Sequence, residues 1–127
     1  GGDRAYINSI LDRAANGDYE AQALIRAARY LIGTGHKVEF QEPRGSRGLP
    51  GRTSDFLVSG QPYDVYSPQS GRVDAIVSAI AKKNDQAVGI LLDLRRSSLS
   101  REYLPMNLLY RVRRGGGPNI MHIVFVP

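Results

Sequence analysis

The sequence predicts an α/β fold in which N-terminal helices are followed by a mixed central sheet with a β-meander and flanking helices. Three observations carry this. Helical apolar spacing fills the first third of the chain, and two aromatic or β-branched runs flank a Gly-containing turn in the middle. In the second half, helical segments alternate with apolar strand runs.

Arg4 to Ala15 and Asp18 to Ile32 place apolar residues at helical spacing, broken by Asn16-Gly17, with Asp18 as the expected N-cap of the second helix. Gly33 and Gly35 stop that helix. His36 to Gln41 alternates Val38 and Phe40 in a strand pattern, and Glu42 to Arg52 has the Gly, Pro and Arg composition of a surface loop. Phe56 to Val58 and Tyr63 to Tyr66 read as a hairpin around Gly60-Gln61, a Gly-X pair suited to a type II′ turn. Gly71 to Lys83 is amphipathic, with Val73, Ile76, Val77 and Ile80 on one helical face, and Gln86 to Leu94 has the near-continuous apolar character of a buried strand. Leu99 to Val112 is expected to be helical with a kink or delay at Pro105, and Asn119 to Val126 closes the chain as a strand. No internal repeat is present.

With 127 residues, 42% of them hydrophobic, the chain suits one domain spanning residues 1–127. A formal charge of +5 and a pI near 9.8 arise mainly from arginine, which binds phosphate through paired N–H groups, so a polyanionic partner such as nucleic acid is expected. No apolar run approaches the roughly 18 residues of a spanning helix, so stable membrane insertion of this domain is not expected. Cysteine is absent, which excludes disulfides, thiolate metal sites and cysteine nucleophiles. Gly1-Gly2 reads as a processing boundary, so the domain is expected to be the tip of something longer.

The hairpin carries one carboxylate on each strand. With Gly60-Gln61 as the turn, Ser59 faces Pro62, Leu57 faces Asp64 and Asp55 faces Tyr66, so Asp55 and Asp64 are diagonal neighbours on one face, about 7–8 Å apart at Cα. That is close enough for both to lean onto one hard cation. The plainer reading makes Asp55 a cap at the start of the strand and Asp64 an exposed acid. Asp is disfavoured inside strands, and two at matching positions weigh towards a metal site for phosphodiester chemistry.

Several motifs together resemble a known family: Glu20-Ala21-x-Ala23-Leu24, Gly35-His36-x-Val38, Ser54-Asp55-Phe56-Leu57, Tyr63-Asp64-Val65-Tyr66-Ser67-Pro68, Ile80-x-x-Lys83, Gln86-Ala87 and Ile90-Leu91-Leu92-Asp93-Leu94. Over residues 18 to 126 the chain is similar to the C-terminal tRNA-nuclease toxin domains of CdiA-type contact-dependent growth inhibition proteins, and its element order to the PD-(D/E)XK nuclease core. The resemblance implies a metal-dependent endoribonuclease that cleaves tRNA in target bacteria. Glu20, Asp55, Asp64 and Lys83 would be its catalytic residues, with Asp55, Asp64 and Glu20 as metal ligands. The chain departs from the superfamily motif: Ser54 replaces the proline, and no lysine stands two residues after Asp64. Lys83 would act from the following helix, and Lys82 is its rival. Outside the resemblance, Glu20 is favoured in a first helical turn by the dipole alone, as are lysines near a helix C-terminus.

The expected cofactor is a divalent metal ion, Mg²⁺ first, with Zn²⁺ or Mn²⁺ as alternatives. The implied partners are a tRNA substrate and an acidic, neutralising immunity protein. The domain would reach the target-cell cytoplasm as part of a large secreted or cell-surface effector. A DNA-cleaving toxin of the same fold and a non-catalytic RNA-binding module are the alternatives. Candidate RNA contacts are Arg52, with Arg44 and Arg47 on its loop, Tyr66 with Tyr63 as a second base-stacking residue, and Arg111, Arg113 and Arg114; helix C-terminal arginines are also explained by the dipole. Glu39, His36 and His122 are expected to be structural or solvated.

Overall fold

The computed structural model describes residues 2–46 and 49–127. Its order is α1 (Arg4–Ala15), α2 (Tyr19–Gly33), β1 (Val38–Phe40), β2 (Phe56–Val58), β3 (Gln61–Tyr66), α3 (Val73–Ala81), β4 (Gly89–Leu92), a 3₁₀ turn (Arg101–Tyr103), α4 (Leu108–Arg114) and β5 (His122–Phe125). The first two helices start where their caps dictate. Asp3 accepts from the Tyr6 N–H at 3.0 Å, and Asp18 accepts from the Ala21 N–H at 3.3 Å.

The strands form one mixed sheet in the order β1-β2-β3-β4-β5, antiparallel across β1, β2 and β3 and parallel from β3 to β4 and β4 to β5. The two parallel crossovers place α3 and α4 on one face, where Ile76, Ile80, Val112 and Ile120 close over Ile90. The opposite face is covered by α2, whose Ala27, Ala28 and Leu31 pack on Val38, Phe56, Val58 and Leu91. β4 therefore lies between two apolar layers and all four of its residues are buried, as its unbroken apolar run requires. Gly89 on β4 is required by close approach: a Cβ there would lie 2.2 Å from the Tyr63 ring.

Three sequence expectations are corrected. The hairpin turns at Ser59-Gly60, not at Gly60-Gln61: Val58 pairs with Gln61, Leu57 with Pro62 and Phe56 with Tyr63. Ser59 and Gly60 both have positive φ, 48° and 86°, as a type I′ turn demands. Moving a two-residue turn by one position slides the strands by two residues, so every side chain keeps its face. The second correction is the Leu99 to Val112 segment, which divides into the 3₁₀ turn and α4. Leu104, with φ −71° and ψ 140°, is extended because the ring of Pro105 excludes the helical region for the residue before it. Helix α3 also ends at Ala81, so Lys83 lies in the turn after it.

Candidate functional site

Just before β2, the corrected register brings Asp55 opposite Asp64 rather than diagonal to it, and the side chains replace the next rung of the ladder. The Asp55 N–H donates to Asp64 Oδ1 at 2.8 Å, and the Val65 N–H donates to Asp55 Oδ2 at 2.8 Å. Each carboxylate is thus fixed by the backbone of the other strand. Asp64 lies in the row of Ile90, on the α3 side of the sheet, and is only 1% exposed. Its Oδ2 accepts from Lys83 Nζ at 3.3 Å and from Gln86 Nε2.

Among the described residues Asp55 forms no ion pair. Burial first, and the facing Asp64 charge second, push its carboxyl up to about 6, against the opposing pull of the Val65 N–H, Lys83 and Arg52. Its Oδ1 has no hydrogen bond among the described residues.

Both acids open into a cleft of about 760 Å³ at the end of β3, between α1 and α2 on one side and α3 on the other. Glu20, Arg52, Tyr66, Lys82 and Lys83 line the same cleft, together with Tyr6, Arg13 and Gln86. Glu20 stands on the first turn of α2 and is exposed. It shares the cleft, but among the described residues no three acid or histidine side chains form a ready-made metal cluster. Helix α2 is anchored by Arg26, whose Nε and Nη2 donate to the fully buried Asp93 at 3.0 and 2.9 Å. Arg26 and Arg96 also lie 5.1 and 4.3 Å from the centre of the Tyr19 ring. These contacts tie the helix start that carries Glu20 to the end of β4.

Asp55 and Asp64 are oxygen donors of the kind that a hard divalent cation takes. The two carboxylates face each other, Asp64 fully buried and Asp55 half-buried with an oxygen that takes no hydrogen bond among the described residues. Asp55 and Asp64 are the residues that would hold such an ion, and Glu20 lines the same cleft.

The remaining sequence candidates scatter. Tyr66 is half-buried at the cleft, with Lys83 Nζ 6.0 Å from its ring centre, and also packs against the α3–α4 core. Arg111, Arg113 and Arg114 do not line the cleft. Arg113 donates to the Ile120 carbonyl at 2.8 Å, and Arg114 to the Tyr110 hydroxyl at 3.2 Å. Arg47 lies outside the described residues. Tyr63 is on the α2 face, its ring stacked 6.4 Å from that of His122. His36 and Glu39 are exposed. Gln86 received no role from sequence; its partnership with Asp64 depends on the turn after α3, which no periodicity reveals.

Residues 52–111 match the family model for the contact-dependent growth inhibition CdiA C-terminal domain. Among solved structures, the chain is similar to the CdiA-CT/CdiI toxin and immunity complex from Burkholderia pseudomallei, with a TM-score of 0.56 and 25% identity, over 82% of this chain and 76% of that one. No curated protein sequence matches. The two likenesses support a CdiA C-terminal toxin domain of contact-dependent growth inhibition. The matched segment contains Asp55, Asp64 and Lys83 but not Glu20. Among the described residues no helix is long and apolar enough to cross a membrane.

Proposed function

We propose that this chain, as a CdiA C-terminal toxin domain, is a metal-dependent endoribonuclease with a PD-(D/E)XK-like core that cleaves tRNA. The observation that supports the reading above all is the opposed Asp55–Asp64 pair, with Lys83 Nζ 3.3 Å from Asp64, at the floor of a cleft in a basic protein. Hydrolysis adds hydroxide to phosphorus and a proton to the departing ribose oxygen. Asp55 and Asp64 would hold a divalent ion, which would supply an acidified water and a counter-charge for the phosphate. The chain's own groups do the rest. Lys83 balances charge on a phosphate oxygen, Gln86 and Lys83 hold Asp64 in place, and Glu20 orients water from the α2 wall. Arg52 flanks the cleft where the substrate backbone would pass.

RNA is favoured over DNA by the resemblance of the motifs around Asp64, whereas the acid pair itself serves either polymer. A cognate immunity protein follows from the likeness to a toxin–immunity complex. It should be acidic and cover the cleft, because opposite charge speeds association with a +5 toxin and blocks the substrate directly.

Total tRNA and plasmid DNA, each incubated with the domain in Mg²⁺ or in excess chelator, test the reading. Metal-dependent cleavage of tRNA that Asp64→Asn abolishes is expected. Cleavage of plasmid alone would make it a DNA-cutting toxin, and undiminished cleavage in chelator would remove the metal.

A further inference from the structure

Helix α1 lies outside the segment that matches the family, which begins at residue 52, yet it supplies part of the cleft wall. Tyr6 and Arg13 are seven residues apart, two helical turns, and so lie on one stripe of α1 with Ile10 between them. Ile10 is 1% exposed and fixes that stripe against the body of the protein. The two polar members of the stripe line the cleft instead.

Tyr6 is half-buried, and its hydroxyl has no hydrogen bond among the described residues, although its backbone N–H is held by the Asp3 cap. A half-buried phenol usually finds a partner, because its O–H gives up water on burial. Burial is the first cause of its raised pKa, and the charged groups that act on it are mixed, Asp55 and Glu42 raising it and Arg13 and Arg52 lowering it. A phenol is un-ionised at neutral pH, so its hydroxyl is a hydrogen-bond donor. Arg13 commits its Nε to Asp18 at 2.9 Å, which holds the guanidinium at the wall. A neutral donor that lines one cleft with two guanidinium groups and the paired carboxylates is a recognition set for a phosphate oxygen.

We infer that Tyr6 is a substrate-binding residue whose hydroxyl donates a hydrogen bond to a non-bridging oxygen of the RNA phosphate being cleaved, with Arg13 beside it. The inference rests on the ribonuclease reading above. It makes α1 a part of the active site, and the site incomplete without residues that precede the family-matched segment.

Tyr6→Phe removes only the hydroxyl. Its single-turnover cleavage of total tRNA in Mg²⁺ is compared with wild type, well below the thermal midpoint of both. Binding of a labelled RNA oligonucleotide is measured by anisotropy in an Asp64→Asn background. Tyr6→Phe should lower cleavage about 10–100-fold, as loss of one hydrogen bond to a charged group does, with an unchanged thermal midpoint. Arg13→Gln should weaken RNA binding several-fold. Wild-type cleavage with Tyr6→Phe within twofold of it overturns the inference and leaves the nuclease reading standing. A wild-type protein that neither cleaves nor binds RNA removes both.

Discussion

Replacing Asp55 by asparagine separates what the acid pair does for chemistry from what it does to the fold. The carboxyl is raised from 3.8 to about 6 by burial and by Asp64, so the folded state holds its proton more tightly than the unfolded state does. The sign follows: between about pH 4 and pH 6 the native protein carries the proton and the unfolded chain does not, so stability falls as pH rises through that window. A rise of about two pH units, at about 1.4 kcal/mol each, sets an upper figure of about 3 kcal/mol lost from this group by neutral pH. Asparagine keeps an oxygen for the Val65 N–H and removes the charge. In chelator at pH 7.5, Asp55→Asn should therefore be more stable than wild type by up to about 3 kcal/mol, and its stability should change less between pH 4 and pH 6. Urea unfolding across that pH range measures both. Mg²⁺ should stabilise wild type by mass action and leave the variant unchanged, while the variant loses cleavage. A variant no more stable than wild type at pH 7.5, with the same pH dependence, would refute the account of the acid pair.

Lys83→Ala should lower tRNA cleavage about 100-fold, and Lys82→Ala only a few-fold, because of the two lysines it is Lys83 that pairs with Asp64; initial rates for the two variants decide, and a larger loss for Lys82 would reverse the assignment. Asp93→Ala leaves Arg26 without its buried partner and should destabilise the fold by about 3–5 kcal/mol, read from urea midpoints.

The local features of this fold are written in adjacent residues. Asp18 stops one helix break and starts α2 because its side chain reaches an N–H three residues on, a contact that needs no tertiary partner. The buried character of β4 follows from its apolar run, and the common face of Asp55 and Asp64 from the two-residue period of a strand. These were legible. The position of the turn was not: Gly60 suits either Gly60-Gln61 or Ser59-Gly60, and the choice falls to the register in which each aspartate accepts a backbone N–H of the other strand. Local periodicity carried Leu99 to Val112 through as one helix, whereas Pro105 holds Leu104 extended and divides it. Lys83 was expected to reach the site as part of a helix, and it does so from the turn beyond α3, where Gln86 joins it on Asp64. Sequence by itself determined which residue types were present and which strand face they share. Only the tertiary structure decided that Tyr6, Glu20, Asp55, Asp64 and Lys83, drawn from helices, hairpin and turn, open onto one cleft, because that depends on how α1 and α2 close around the end of β3.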